Sequence, residues 1–141
     1  MNDQTIVFDT KIAVILREDL PMWQKLNATA FLSSGIAATA TESIGEHYSD
    51  ADGTKYAPMF GQPVMVFRAD TARMARTLDR ALSRGVVPAI FTAELFGTGH
   101  DAANRDAVAS VARGHLDLVG VAVRADRKVV DKIVDGLKLH V

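Results

Sequence analysis

The sequence predicts an α/β protein in which helices cover both faces of a sheet. One observation is the unalternating apolar run Ile12–Leu16, which is typical of a strand covered on both faces. Another is the regular alternation of apolar runs with helix-like segments along the chain, which favours a three-layer arrangement. The chain shows no internal repeat, and its 141 residues suit one domain, so we expect residues 1–141 to fold together.

The most apolar segment of the chain follows this first strand. Proline is tolerated in the first turn of a helix, so we expect a helix to begin between Pro21 and Trp23. Apolar residues occur nearly all round the segment, which predicts a buried helix. Mostly small side chains at 3–4 spacing predict its inward face at Leu26, Ala30, Ser33, Ala37 and Ala40, and the apolar face is widened by Phe31, Leu32 and Ile36.

Lys25 is the most suggestive chemical group of this helix. It lies near the helix N-terminus, where a positive charge opposes the helix dipole, and it shares a face with Thr29 four residues later. Two interpretations stay open. Lys25 is either an exposed lysine on the rim of a buried helix or a lysine placed there for function.

The polar segment Glu42–Pro63 is long for a loop in so small a protein, and such loops tend to be functional or mobile. Within it, Asp50–Gly53 invites comparison with a calcium loop. The matching register places Tyr48 at position 1 and Met59 at position 12, and neither side chain supplies the required carboxylate. A tight turn explains the Asp-Gly pair better.

Three further strands and three further helices are predicted after this loop. The strands are Val64–Phe67, Val86–Phe91 and Leu116–Val123. The helices run from Asp70 or Thr71 to Gly85, from Asp101 to Arg113 and from Asp126 to Val134, and Leu137–His140 forms an extended tail. The residues expected to be buried are Ile12, Val14, Leu16, Ala30, Val66 and Val121, with Ile12–Leu16 central in the sheet.

Arginines mark the outer side of the second predicted helix, at positions 73, 76, 80 and 84. A solvated face partnered by Asp70 and Asp79 is one interpretation, and an anion-binding stripe is the other. A separate weak signal is Gly97–Ala102, which fits the dinucleotide pattern G-x-G-x-x-A but follows the third strand instead of the first. Gly97 and Gly99 are nevertheless candidate ligand-binding residues, and a small anion at the Asp101 helix N-terminus fits this segment better than a dinucleotide.

Composition restricts the function classes. The 16 basic and 17 acidic residues give a net charge of −1, so we expect weak or no nucleic-acid binding. The chain has no cysteine, and its four histidines are scattered without metal-ligand spacing, so we predict neither a metal nor a cofactor. The N-terminal segment MNDQTIVFDT lacks a signal-peptide pattern and no run is long enough to span a membrane, which favours a cytoplasmic protein.

Three segments, which together span most of the chain, carry a family resemblance. They are KIAVILREDLPMWQKLNATA, GQPVMVFRADTARMARTLDRALSRGVVPAIFTAELFGT and VGVAVRADRKVVDKIVDGLKLHV. In this order they resemble the type II peptidyl-tRNA hydrolases, and most of all a bacterial branch of that fold described only as a domain of unknown function. The resemblance implies a four-stranded mixed sheet sandwiched by helices, and it implies a homodimer because relatives commonly dimerise.

The resemblance also implies a set of site residues. The family's catalytic lysine corresponds to Lys25, its helix glutamine to Thr29, its aspartate to Glu94 and its threonine to Thr98. In this role the carboxylate of Glu94 would orient or deprotonate water, Lys25 would stabilise an oxyanion, and Thr98 would hold water or substrate. Thr29 would contribute to ligand binding.

Two functions follow as hypotheses. One is a non-enzymatic domain that binds an unknown small ligand or has a regulatory role. The other is a hydrolase of an ester or amide that uses Lys25, Glu94 and Thr98. If the first and third strands are parallel, these side chains and Thr29 should converge at the carboxyl edge of the sheet, where open α/β folds bind ligands.

Overall fold

A computed structural model describes residues 6–141, so residues 1–5 of the segment MNDQTIVFDT lie outside the described part. The strands are Thr10–Arg17 (β1), Tyr48–Ser49 (β2), Lys55–Tyr56 (β3), Val64–Ala69 (β4), Ala89–Thr92 (β5), Leu118–Asp126 (β6) and Lys138–Leu139 (β7). The helices are Met22–Thr39 (α1), Thr71–Ser83 (α2), Asp101–Ala109 (α3) and Arg127–Ile133 (α4).

The main sheet has five strands in the order β5-β6-β1-β4-β7. The expected central position of Ile12–Leu16 is therefore confirmed, because β1 is the middle strand. β1 and β4 are parallel, whereas β6 runs antiparallel to both β1 and β5, and β7 runs antiparallel to β4. The sheet is thus mixed, and β1, β4 and β5 point in the same direction.

The expected number of four strands is wrong by one. The fifth strand is β7, which lies in the segment predicted as an extended tail and pairs with Phe67 and Arg68 of β4. A strand of two residues is too short to show a periodic pattern, so only the pairing partner identifies it.

Helices cover both faces of this sheet, which explains why β1 does not alternate in polarity. Ala13 and Ile15 pack in a cluster with residues of α2 and α4. Ile12, Val14 and Leu16 pack on the opposite face with residues of α1. All five residues are buried, as expected for a central strand.

The expectation for α1 needs correction. Leu32, Ile36 and Ala40 are buried as predicted, but Leu26, Ala30 and Phe31 of the predicted face are exposed. Lys25 and Ala28 are buried in their place. Since apolar residues occur on both sides of this helix, their periodicity could not show which side faces the sheet. Gly120 of β6 helps to set the correct side, because a Cβ atom there would lie 2.6 Å from Leu32 Cδ1.

Several element boundaries also differ from the predictions. The third predicted strand begins at Ala89 instead of Val86, and α3 ends at Ala109 instead of Arg113. The cap of α3 is His100, whose Nδ1 accepts a hydrogen bond from Ala103 N at 3.2 Å, and not Asp101. The predicted cap of α2 is confirmed at Asp70.

β2 and β3 form a separate antiparallel hairpin whose turn contains Asp50–Gly53. The Asp50 carboxylate accepts hydrogen bonds from the amides of Asp52 and Thr54 and from the hydroxyl of Tyr56. These hydrogen bonds lower the pKa of Asp50, and the bond from Tyr56 contributes most. The predicted turn is therefore confirmed, and the aspartate serves the turn.

Candidate functional site

The elements that carry the predicted site residues lie at one edge of the sheet. β1 and β5 run in the same direction, so their carboxyl ends share that edge. The first turn of α1 touches the 3-10 turn after β5 through Trp23 and Phe96, whose ring centroids are 5.4 Å apart. The segments that contain Lys25 and Glu94 are thus neighbours.

Lys25 itself is directed at the C-terminal segment. It is 9% exposed, and its Nζ lies 3.2 Å from His140 Nε2. The other ring nitrogen, Nδ1, lies 2.8 Å from the backbone oxygen of Val141. Since lysine only donates, this geometry makes Nε2 the acceptor and Nδ1 the donor of the imidazole. The Thr29 hydroxyl donates to the Lys25 backbone oxygen at 2.7 Å.

The side chains after β5 have other partners. Glu94 is exposed, and the Thr98 hydroxyl donates to Leu95 O at 3.1 Å and also contacts the Asn104 amide oxygen. Gly97 and Gly99 are exposed with open space around them. Within residues 6–141, no hydrogen bond joins Glu94 to Lys25 or Thr98, so the shared site stays a prediction.

A charged cleft lies at the same edge, at the carboxyl end of β4, where Glu18 after β1, the start of α2 and the segment that leads into β7 meet. After β1 the chain passes to α1 on one face of the sheet, and after β4 it passes to α2 on the other face. Strands whose connections diverge in this way open a crevice at their carboxyl ends, where α/β proteins bind ligands. The cleft has a volume of about 240 Å³ and is lined by Glu18, Arg68, Ala69, Asp70, Arg73, Gly136, Leu137 and Lys138.

Arg68 at the end of β4 is incompletely satisfied. Its Nε atom is buried without a hydrogen-bond partner, and one terminal nitrogen lies 3.6 Å from Glu18 Oε2, which is longer than a hydrogen bond. Arg17 at the end of β1 differs, since it bonds Asp19, Asp117 and the Leu118 oxygen. Burial alone would lower the pKa of Arg17, but the bonds to Asp117 and Asp19 raise it.

The other charges of the cleft come from α2 and β7. Asp70 accepts hydrogen bonds from the Arg73 amide and from its guanidinium, both at 2.8 Å. Lys138 is directly opposite Arg68 in the pairing of β4 with β7. The lining thus has three basic and two acidic side chains, and one of the basic groups is an arginine with a free donor.

The sequence predicts only part of the lining of this cleft. Arg73 belongs to the arginine stripe that was a candidate anion-binding surface, whereas no sequence pattern marks Arg68 or Lys138 as site residues. These two residues become neighbours only through the pairing of β4 with β7, and no local pattern reveals that pairing. His140 likewise could not be matched with Lys25 across a separation of 115 residues.

Two further features are absent from residues 6–141. No helix in that range has the length and apolar character needed to cross a membrane. Within the same residues, no three His, Cys, Asp or Glu side chains are grouped so that they could hold a metal ion.

Comparisons with known proteins agree with one another. Residues 10–141 match the profile of a family described as protein of unknown function, DUF2000. A solved structure of a protein of unknown function from Agrobacterium tumefaciens strain C58 is 50% identical and superposes with a TM-score of 0.93. The similarity covers 96% of this chain and 100% of that one. No curated protein matches the chain. Because the family match extends over nearly the whole sequence, the chain belongs to the DUF2000 family.

Proposed function

We propose that this protein is a non-enzymatic domain that binds a small anionic ligand in the cleft at the carboxyl end of β4. The observation that carries the proposal is the buried Nε atom of Arg68, which has no hydrogen-bond partner and belongs to a residue that lines the cleft. A buried donor without a partner costs about 1–3 kcal/mol, so a ligand that draws the Arg68 guanidinium into the cleft and accepts this hydrogen bond recovers part of that cost.

The charges of the cleft define the class of ligand. A guanidinium group binds carboxylate or phosphate oxygens through paired N–H donors, and Lys138 adds positive charge from the neighbouring strand. Asp70 holds Arg73 through hydrogen bonds, whereas Glu18 lies 3.6 Å from Arg68 and leaves its donors open to a ligand. The volume of about 240 Å³ is below that of typical drug-sized pockets, which favours a compact carboxylate or phosphate.

The arrangement of the predicted catalytic residues supports binding over catalysis. The amine of Lys25 is buried against His140, and the Thr98 hydroxyl already has the Leu95 oxygen as its acceptor. We further propose that the fold is of the type II peptidyl-tRNA hydrolase kind, with β7 as an additional strand at the edge of the sheet. A regulatory role would follow if the bound anion were a metabolite.

The proposal is tested by thermal unfolding and calorimetry with inorganic phosphate, acetate and the neutral compound acetamide. A ligand at a hundredfold its Kd stabilises the native state by about 2.7 kcal/mol, which raises the Tm by several degrees. We expect phosphate or acetate to raise the Tm and acetamide to leave it unchanged. Arg68→Gln should abolish the rise.

The matched control is Arg105→Gln, because Arg105 is an exposed arginine of α3 outside the cleft. It should keep the full response to the anion. A response that survives in Arg68→Gln but is lost in Arg105→Gln would place the anion elsewhere. No response to either anion, together with stabilisation by neutral or cationic compounds in a broader screen, would overturn the anionic ligand.

Hydrolysis of an ester or amide is the second candidate function. It is favoured by the contact of Trp23 with Phe96, which keeps the segments that contain Lys25 and Glu94 adjacent. If the protein cleaves a model aminoacyl ester, Lys25→Ala and Glu94→Ala should each lower kcat by on the order of a hundredfold. Thr29→Ala should have a smaller effect. Undiminished rates in the Lys25 and Glu94 variants would place the chemistry elsewhere.

A further inference from the structure

The outer side of α1 is an uncharged and largely apolar surface. The helix contains a single charged residue, Lys25, and that side chain is buried beneath the helix. Large apolar side chains point outward, with exposed fractions of 62% for Met22, 59% for Trp23, 64% for Leu26 and 53% for Phe31. A helix that faces water normally carries charged residues on its outer side.

The size of this surface suits a protein interface. A large side chain has a surface on the order of 200 Å². With the exposed fractions given above, the four side chains together present roughly 500 Å² of apolar surface to solvent. The largest apolar patch of a typical monomer measures about 300–600 Å² and is often functional, so this surface lies in the upper part of that range. A standard interface buries about 800 Å² of each partner, so these residues and the small side chains between them supply most of that area.

The order of side chains along the helix indicates which partner fits. Five exposed residues follow one another at intervals of four: Met22, Leu26, Ala30, Ser34 and Ala38. The first two are large and the last three are small. When a second α1 lies antiparallel across the first, the large half of one helix meets the small half of the other.

We propose that a second copy of this chain packs on the outer face of α1, with a twofold axis near Ala30. In this arrangement Leu26 of each copy lies against Ser34 of the other, and Ala30 meets its own equivalent, where its small side chain lets the helix axes approach closely. The absence of exposed charge favours the second copy over a charged partner, because neither face brings like charges together. This inference does not depend on the proposed ligand.

Cysteine cross-linking tests the position of the axis. The chain has no cysteine, so Ala30→Cys introduces its only thiol. Two copies of one residue beside a twofold axis come within the Cα separation that a disulfide needs, about 4.4–6.8 Å. We expect Ala30→Cys to form a covalent dimer rapidly under mild oxidation. Ala75→Cys, at an exposed alanine of α2 on the other face of the sheet, should remain monomeric on denaturing gels.

Sedimentation equilibrium gives the second measurement. The wild-type protein should dimerise with a micromolar or tighter Kd, as expected for a standard-size interface. Ala30→Glu should weaken the dimer at least tenfold by burying like charges, whereas Ala75→Glu should leave it unchanged. A wild-type protein that stays monomeric at high concentration would overturn the proposal. So would a dimer that Ala30→Glu does not weaken and that Ala30→Cys does not cross-link.

Discussion

The two long helices α1 and α2 cover opposite faces of the same sheet and differ mainly on their outer sides. Both bury an apolar stripe, which includes Leu32 and Ile36 in α1 and Met74 and Leu78 in α2. The outer side of α2 carries charged residues such as Arg76 and Asp79, whereas the outer side of α1 carries none. The outer side of α2 is thus typical of a helix that faces water, whereas the outer side of α1 is the surface on which we propose a second copy of the chain.

The two helices also begin differently. Asp70 caps α2 through its side chain, and both Asp70 and Arg68, two residues earlier, line the charged cleft. Pro21 precedes α1 and forms no capping hydrogen bond through its side chain. The cleft is therefore associated with the helix that has a charged outer side, and the proposed interface with the helix that has an uncharged one.

The largest expected effect tests whether the inner sides of α1 and α2 are equivalent. Leu32 and Met74 are each 1% exposed, so we expect Leu32→Ala and Met74→Ala each to lower the free energy of unfolding by about 2–5 kcal/mol. Urea unfolding measures both values. A cost below this range for Leu32→Ala alone would mean that α1 packs more loosely than α2.

A second effect concerns the close approach of α1 to β6 over Gly120. A methyl group at this position would overlap with Leu32 Cδ1, so Gly120→Ala should cost about 1–3 kcal/mol by overpacking. In the Leu32→Ala background the added methyl group enters the cavity, and its cost should largely disappear. A double-mutant cycle from urea unfolding measures this coupling. Additive costs would contradict the contact.

The cap of α2 gives a smaller effect. Asp70→Ala removes the acceptor for the Arg73 amide and should cost about 1 kcal/mol. Asn is as good a cap as Asp, so Asp70→Asn should keep most of this stability. Thermal unfolding of the two variants compares them. An equal loss in both would assign the effect to the ion pair of Asp70 with Arg73 instead of the cap.

The smallest effect concerns the outer side of α2. Arg76→Gln should change the free energy of unfolding by less than about 0.5 kcal/mol, because the side chain is exposed. It should also leave the fluorescence of Trp23, the only tryptophan, unchanged at every concentration. Leu26→Gln should instead remove the concentration dependence that dimerisation would give to this fluorescence. Identical behaviour of the two variants would remove the distinction between the outer sides.

The sequence predicted the fold class well because the pattern of the central strand depends only on local residues. Ile12–Leu16 shows no alternation, and it is covered on both faces. The orientation of α1 could not be predicted from the sequence, because apolar residues lie both on the side of the helix that faces the sheet and on the exposed side. Only the structure, in which Leu26 and Ala30 are exposed, shows which side of α1 faces the sheet.

The candidate site depended on contacts that are distant in sequence. Asp70 and Arg73 could be placed by the rules of helix capping. Arg68 and Lys138 meet only because β7 pairs with β4, and β7 is too short to be predicted. The resemblance supplied positions for Lys25, Glu94 and Thr98, and their common role stays a prediction.

The contact between Lys25 and His140 also has a consequence for the synthesis of the chain. Lys25 is made 115 residues before His140. At a translation rate of about 5–20 residues per second, α1 has been synthesised for on the order of ten seconds when the ribosome adds His140, the partner of Lys25. The Lys25 amine can therefore reach its final partner only after the C-terminal segment has been made, whereas the apolar inner side of α1 packs on β1, β5 and β6 and does not need β7.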